Sequence, residues 1–320
     1  MTEDTTDYEH SSRSRRQSWY GTKPAVKRML ARPLPHLLMR QGVALLGDRI
    51  HKERLPAPAR LDRVTASMGG ATFVMLRPDR CIVAKELYWG DGKRPRAEDQ
   101  LALDVFATLA RDARTVIDVG AYTGLFSLLA GRASTKADVH AFEVVPEVAK
   151  AAQENVAAND LASRVTVHNA GVGAEGETVL IASGSGGSAL PDFYSTRLRF
   201  SDGVPIPIRS LDAVTAEIEA AAPALIKIDV EGTEDVVLGN GRRFLDSHRP
   251  DVLCELLPDV SDAPAVAAAL APYGYRYLLV EAHHLSPREE LVPDRRYRDW
   301  LFTTRSDADL RRSGLPVATG

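Results

Sequence analysis

One ten-residue stretch, from Leu225 to Glu234, constrains the fold of this chain more than any other. It reads LIKIDVEGTE, an apolar run that ends in carboxylates and a glycine and leads directly into a helical pattern. Because the run is apolar on both faces, it predicts a strand buried in a parallel sheet. Ligands bind outside the carboxyl ends of such strands, so we expect Asp229 and Glu231 to border a binding crevice.

Strand and helix patterns alternate along most of the chain. We predict strands over 115–119, 138–142, 165–169, 225–230, 250–256 and 275–281, and helices over 125–132, 146–159, 211–222, 234–247 and 263–271. Two more strands, over 177–182 and 205–209, interrupt the alternation around an irregular loop over 183–204. This spacing predicts an α/β fold with a doubly wound, mostly parallel sheet. A last strand over 300–304 is expected to return antiparallel.

The region before this alternation predicts a smaller prelude. The segment 71–84 has the pattern of a β-hairpin with its turn at Arg77–Arg80, followed by a loop over 88–92 and a helix over 98–110. We therefore divide the chain into an extension over 1–60 and one domain over 61–320. Within that domain the prelude covers 61–110 and the core covers 111–305.

The charge of the chain is unevenly distributed. Residues 1–60 carry twelve Lys/Arg and six Asp/Glu, a charge of +6, which leaves −9 for the rest because the whole chain carries −3. The first twenty residues are polar and lack apolar periodicity, so we expect them to be disordered. The basic arm either contacts an acidic membrane surface or an anionic or lipid-linked substrate, or is a solvated tail followed by a short amphipathic helix near 25–50. No membrane span is predicted, because no apolar run reaches about 18 residues.

The first predicted strand of the core leads into a loop with two glycines, which reads DVGAYTG over 118–124. Gly120 and Gly124 allow the backbone to approach a ligand, and the next helix offers free N–H groups, although a plain strand–helix turn has the same pattern. Tyr122 stands where a dinucleotide fold needs its second glycine, which disfavours NAD or FAD. Asp118 adds a negative charge that would repel a pyrophosphate but would suit a cationic ligand such as S-adenosylmethionine.

Glu143 follows the second predicted strand, twenty-five residues after Asp118. An acidic residue at about this distance can accept hydrogen bonds from both ribose hydroxyls of an adenosine-bearing ligand. Alternatively, it is a carboxylate that the N-terminus of a helix favours. Val144, Ala170 and Asp229 complete the set of residues that we predict to bind the cofactor.

Three carboxylates and a histidine are the candidates for catalysis. Asp229 and Glu231 can orient a substrate hydroxyl or accept its proton, and Glu255, after the fifth strand, is expected to face the same crevice. His284 follows the sixth strand and can remove a proton near neutral pH, unless it only lies in a surface loop. Asp229 and Glu255 could together bind magnesium, but two carboxylates do not specify a metal, and none is predicted. Four aromatic residues could form an acceptor pocket or the edge of the core: Tyr88, Trp89, Phe193 and Tyr194.

Three motifs together resemble the FkbM family of S-adenosylmethionine-dependent methyltransferases. They read VIDVGAYTG at 116–124, AFEVVPE at 141–147 and IKIDVEGTE at 226–234, and the resemblance spans roughly 98–304. The chain departs from the family pattern at three places: Tyr122-Thr123 replace Asn-Ile, Val144 replaces a proline and Thr233 replaces an aromatic residue. The first departure concerns contacts to the methionine part of the cofactor.

The resemblance implies a class I, Rossmann-like methyltransferase with S-adenosylmethionine as cofactor. It also implies O-methylation of a hydroxyl of a sugar, glycolipid or polyketide-type natural product. In that chemistry an oxygen attacks the sulfonium methyl in line, and the protein supplies orientation and a proton acceptor.

Other functions stay open at this point. An N-methyltransferase would need a neutral amine acceptor rather than a base, an NAD-dependent oxidoreductase is disfavoured by Tyr122, and a non-catalytic cofactor-binding protein would not need every acidic residue intact. We expect a small-molecule or glycan acceptor and no nucleic-acid partner. A cytoplasmic location is expected because Cys81 and Cys254 lie in apolar runs, as reduced and inert thiols do.

Overall fold

The computed structural model describes residues 29–46, 55–181 and 203–318. The predicted disordered tail, Phe193, Tyr194 and most of the predicted loop over 183–204 lie outside these residues. Within the described ranges, no helix combines the length and the apolarity that crossing a membrane requires.

A helix and a hairpin form the prelude. α1 (Pro33–Leu46) precedes the antiparallel strands β1 (Arg63–Met68) and β2 (Ala71–Leu76), and α2 (Ile82–Trp89) and α3 (Ala97–Ala110) follow. α1 lies where the short helix is predicted, and α3 begins one residue before its predicted start.

The predicted hairpin over 71–84 is wrong. The hairpin turns at Gly69 and Gly70, whose φ angles of 57° and 75° match the twist of its strands. The segment predicted as its second strand belongs instead to α2, and the sulfur of Cys81 accepts the N–H of Ala84 at the start of that helix. The predicted loop over 88–92 is displaced for the same reason, since Tyr88 and Trp89 are the last residues of α2.

The core alternates strands and helices as predicted. Its elements are β3 (Thr115–Val119), α4 (Leu125–Ala133), β4 (Asp138–Phe142), α5 (Pro146–Ala158), β5 (Val165–His168), β6 (Gly171–Val172), β7 (Thr178–Ile181), β8 (Val204–Arg209), α6 (Leu211–Glu217), β9 (Ala224–Ile228), α7 (Glu234–Gly239), α8 (Arg242–His248), β10 (Asp251–Glu255), α9 (Ala263–Leu270), β11 (Arg276–Val280), β12 (Leu285–Arg288), β13 (Asp299–Thr303) and α10 (Asp307–Arg312).

Eight of these strands form one sheet, in the order β12-β11-β13-β10-β9-β3-β4-β5. The five strands from β10 to β5 run parallel, and β13 is inserted antiparallel between β10 and β11. The prediction of a mostly parallel, doubly wound sheet with an antiparallel last strand is therefore confirmed. The hairpin partner β12 was not predicted, and β6, β8 and β7 form a separate three-stranded sheet.

The centre of the sheet is buried on both faces, which explains why its strands read as continuous apolar runs. All residues of β3 and β9 are buried. Val116 and Leu225 pack into one apolar layer, whereas Ile117 and Ile226 pack into the other. β9 ends at Ile228, two residues before its predicted end, so Asp229 begins the loop beyond the sheet.

Candidate active site

A cavity of about 480 Å³ opens where β3, β4, β9 and β10 end. Its position is the one predicted for a ligand, and its volume is in the range of small-molecule sites. Eight predicted site residues line it: Gly120, Tyr122, Glu143, Val144, Ala170, Asp229, Glu231 and Glu255. Asp118, Gly124 and His284 are not part of the lining.

Gly120 brings the first loop against the third motif. Its φ is 79°, and a Cβ built on it would lie 1.8 Å from the carbonyl oxygen of Asp229. The N–H groups of Gly120 and Ala121 both donate to the carbonyl oxygen of Phe142. The N–H of Asp229 donates to the carbonyl oxygen of Val119. These contacts fix the ends of β3, β4 and β9 relative to one another.

Tyr122 and Glu143 connect two of the predicted motifs directly. The backbone N–H of Tyr122 donates to Oε2 of Glu143 at 2.9 Å, and the N–H of Val145 donates to Oε1 at 2.8 Å. Tyr122 has a φ of 48°, in the left-handed region that a bulky residue rarely adopts. Glu143 is 7% exposed, and its burial raises its pKa to about 7.

Asp118 lies behind the loop rather than in the cavity wall. Its Oδ2 accepts the backbone N–H of Ser127 at 3.0 Å and the hydroxyl of Ser127 at 2.6 Å. Burial raises the pKa of Asp118 to about 6. The residue therefore joins β3 to the first turn of α4, and it acts on the loop without contacting the cavity.

Asp229, Glu231 and Glu255 form a carboxylate cluster in the cavity wall. One oxygen from each lies within 4.8 Å of the others, a spacing that could hold a metal ion. Burial and then the negative charge of Asp229 raise the pKa of Glu231 to about 7 and that of Glu255 well above its usual range. Three carboxylates this close repel one another if all are ionised, so we expect the cluster to retain a proton near neutral pH.

Lys227, for which no role was predicted, lies directly behind this cluster. Its side chain is 2% exposed, and Nζ lies 3.3 Å from Oδ1 of Asp299 and 3.9 Å from Oδ2 of Asp229. Burial alone would lower the pKa of Lys227, but the carboxylates of Asp299, Asp229 and Glu255 raise it above its usual value. The sequence could have indicated this role, because a lysine inside an otherwise apolar buried strand requires a charged partner.

Three arginines in the wall were also not predicted. Arg94, Arg96 and Arg298 line the cavity. Arg94 pairs with Glu86 and Asp99, and Arg298 lies 3.9 Å from Glu255. Arg94 and Arg96 precede α3, in the stretch that the sequence shows only as polar and without a motif.

Three predicted side chains lie away from the cavity. His284 lies between β11 and β12, where its Nε2 is 3.6 Å from Glu281. Tyr88 donates or accepts a hydrogen bond with Nε2 of His36 at 2.7 Å, and Trp89 lies beside the same histidine ring. The structure thus assembles the predicted cofactor loop, Glu143 and the carboxylates, and it leaves His284 outside.

A family model described as the methyltransferase FkbM domain matches residues 118–277, which is half of the chain. The chain belongs to the FkbM methyltransferase family. The match covers the loop from Asp118 to Gly124, Glu143, the carboxylate cluster and Lys227. A comparison with curated proteins finds no match.

Several solved structures are similar to this member of the FkbM family. The FkbM methyltransferase from Methylobacillus flagellatus is 21% identical, with a TM-score of 0.40, over 69% of this chain and 51% of that one. The precorrin-6y C5,15-methyltransferase from Geobacter metallireducens is 12% identical, with a TM-score of 0.35, over 63% of this chain and 85% of that one. The mitomycin 7-O-methyltransferase is 17% identical, with a TM-score of 0.32, over 69% of this chain and 57% of that one. The chain thus spans about half the length of the Methylobacillus protein.

Proposed function

We propose that this protein is an S-adenosylmethionine-dependent O-methyltransferase that acts on a hydroxyl of a sugar, a glycolipid or a polyketide-type natural product. One observation carries the proposal. A single cavity joins Glu143, which suits ribose hydroxyls, to the cluster of Asp229, Glu231 and Glu255, which suits proton removal. Membership of the FkbM family supports the reaction class.

The residues at the Glu143 end fit an adenosine-bearing cofactor. An ionised carboxylate has about four acceptor sites, and backbone N–H groups, including those of Tyr122 and Val145, occupy some of those on Glu143. Ribose hydroxyls would donate to acceptor sites that the backbone leaves open. When bound, the cofactor would supply an electrophilic methyl group on a sulfonium.

The carboxylate cluster supplies the proton acceptor. An alkyl hydroxyl is a weak nucleophile until it begins to lose its proton, so a group within hydrogen-bond reach must accept that proton. We assign this role to Asp229, because Glu255 has a strongly raised pKa and the Lys227 ammonium lies 3.9 Å from the Asp229 carboxylate. Glu255 and Glu231 then orient the acceptor hydroxyl.

Calorimetry tests the cofactor part of the proposal. We expect S-adenosylmethionine and its demethylated product S-adenosylhomocysteine to bind with micromolar-range dissociation constants, about −8 kcal/mol. NAD is expected not to bind, because Tyr122 occupies the place of the second dinucleotide glycine. Binding of NAD in preference to either of the other two would refute the assignment.

A labelling experiment tests the reaction. Cell extract is incubated with methyl-labelled S-adenosylmethionine and either the wild-type protein or the Asp229→Asn variant, and the labelled product is analysed by mass spectrometry. We expect a methyl ether whose formation falls steeply in the variant, while S-adenosylhomocysteine binds both proteins. A methylated nitrogen as the product would make the protein an N-methyltransferase and would contradict the O-methylation assignment.

A further inference from the structure

Helix α1 exposes an apolar stripe. Leu34, Leu37 and Leu38 are 75%, 54% and 69% exposed, and Met29, which precedes the helix, is 52% exposed. Positions i, i+3 and i+4 lie on one face of a helix, so the three leucines form a continuous patch. Four large exposed apolar side chains within ten residues are an unusual surface for a folded domain.

The opposite face of α1 is anchored to the domain. His36 is buried between Tyr88 and Trp89 of α2, with ring centroids 5.6 Å and 5.5 Å away. Arg40 lies over the Tyr88 ring at 5.8 Å, and Val43 is buried one turn further on. The orientation of the helix is therefore set by packing, and the leucine patch faces away from the domain.

Positive charge is concentrated in the sequence that contains this helix. Residues 23–54 contain eight Lys/Arg and two Asp/Glu, whereas the chain as a whole carries −3. Arg32 and Arg40 are exposed within the described part of this segment. Exposed leucines combined with a basic surround are typical of helices that lie in the interface of a membrane with anionic lipids.

We propose that α1 is a membrane-docking helix, whose patch of Leu34, Leu37 and Leu38 enters the surface of an anionic bilayer. Arg32 and Arg40, in a part of the sequence rich in Lys and Arg, attract the lipid headgroups, and the leucines bury apolar area below them. α1 packs against Tyr88 and Trp89 at the end of α2. The first residues of α2, Ile82 and Val83, line the cavity. The docking helix is thus attached to a wall of the active site, although the proposal does not depend on the reaction catalysed there.

Vesicle sedimentation of the full chain tests this inference. The probes are vesicles of phosphatidylcholine alone and vesicles of phosphatidylcholine with phosphatidylglycerol in about equal amounts. The variants are Leu38→Glu and a matched control, Val292→Glu, which puts the same charge at an apolar side chain that is 62% exposed and far along the chain. Leu37→Glu serves as a second test variant, and thermal unfolding checks that all three remain folded.

We expect the wild type to bind the anionic vesicles, and to bind them far more weakly in about 1 M salt, where the Debye length is about 3 Å. Leu38→Glu and Leu37→Glu should each weaken binding at least about tenfold, because each replaces a leucine that would enter the bilayer with a charged side chain. Val292→Glu should change it by less than about threefold.

Three results would overturn the proposal. The first is no vesicle binding, and the second is equal binding to neutral and anionic vesicles. The third is a dimer in sedimentation velocity that Leu38→Glu dissociates, because the patch would then be covered by a second copy of the chain. None of these results bears on methyl transfer, since the vesicles contain neither cofactor nor acceptor.

Discussion

The absence of a side chain at Gly120 permits the contact between the predicted cofactor loop, residues 118–124, and the segment that begins at Asp229. A methyl group there would lie 1.8 Å from the Asp229 carbonyl oxygen, so Gly120→Ala must move one of the two segments. We expect it to weaken S-adenosylhomocysteine binding and to lower the free energy of unfolding. Gly176→Ala is the matched control, because its φ of 80° is nearly the same and nothing lies within 4 Å of the added Cβ.

That control separates backbone strain from steric contact. A left-handed φ costs alanine of order 1 kcal/mol at either position, and only Gly120→Ala adds a clash. Urea unfolding and calorimetry of both variants measure the difference. Equal losses in the two variants would show that the close approach to Asp229 does not matter.

Glu143 makes cofactor affinity depend on pH. Its pKa of about 7 in the free protein means that near pH 6 it must lose a proton before it can accept ribose hydroxyls as a carboxylate. The affinity for S-adenosylhomocysteine should therefore rise between about pH 6 and pH 8, because binding favours the deprotonated form. Calorimetry across this range measures the slope.

Glu143→Gln is the control for this slope, since an amide does not titrate. It should bind about 1–3 kcal/mol more weakly at pH 8 and lose most of the pH dependence. An affinity that is constant or falls with pH in the wild type would contradict the ribose assignment.

At the scale of elements, the Lys227–Asp299 ion pair joins β9 to β13 across the intervening strand β10. Lys227→Met would leave the carboxylate of Asp299 behind the cluster without its nearest ammonium. Breaking a buried pair from one side typically costs about 3–5 kcal/mol. We expect a loss of that order in urea unfolding.

The partner substitution makes the ion-pair prediction specific. Asp299→Asn alone should also destabilise the protein, but Lys227→Met with Asp299→Asn should cost less than the sum of the two single changes. Additive losses in this double-mutant cycle would show that the two side chains are not coupled.

Sequence patterns predicted the elements that repeat a period and missed those set by distant contacts. β3, β4, β9 and β10 were found because apolar runs of this length indicate buried strands. The hairpin was misplaced because Arg77–Arg80 has turn composition, whereas the pair Gly69-Gly70 makes the tighter turn. The predicted helix over 234–247 is divided into α7 and α8 around Gly241, which packs against the side chain of Leu211.

In the candidate site, too, the residues at strand ends were predicted and those brought in by distant contacts were missed. Glu143, Asp229 and Glu255 were predicted from their places at strand ends, which parallel topology brings to one edge. Arg94 and Arg298 come from segments without a motif, and only the folded chain brings them to the cavity. His284 has suitable chemistry, but β11 and β12 hold it in a separate hairpin.

For the whole molecule, buried carboxylates set how stability changes with pH. Burial raises the pKa of Asp118 to about 6 and those of Glu143 and Glu231 to about 7. The folded chain then binds protons at these sites that the unfolded chain has already released, so stability is lost as pH rises from about 4 to 7. His36 and His168 oppose this trend below about pH 6.5, because their lowered pKa values favour the neutral form.

The carboxylates with raised pKa values outnumber the opposing histidines, so we expect a net loss of stability as pH rises. Asp118→Asn tests the contribution of one of these carboxylates. Removing a group whose pKa rises from 3.8 to about 6 should abolish about 2 kcal/mol of the wild-type loss between pH 4 and pH 7. Urea unfolding of both proteins at about unit intervals of pH measures the two slopes. The wild type should be less stable at pH 8 than at pH 5, and the variant should fall less. Parallel curves would show that the pKa of Asp118 is not raised in the folded chain, and the Ser127 hydrogen bonds that join β3 to α4 would then be accepted by an ordinary carboxylate.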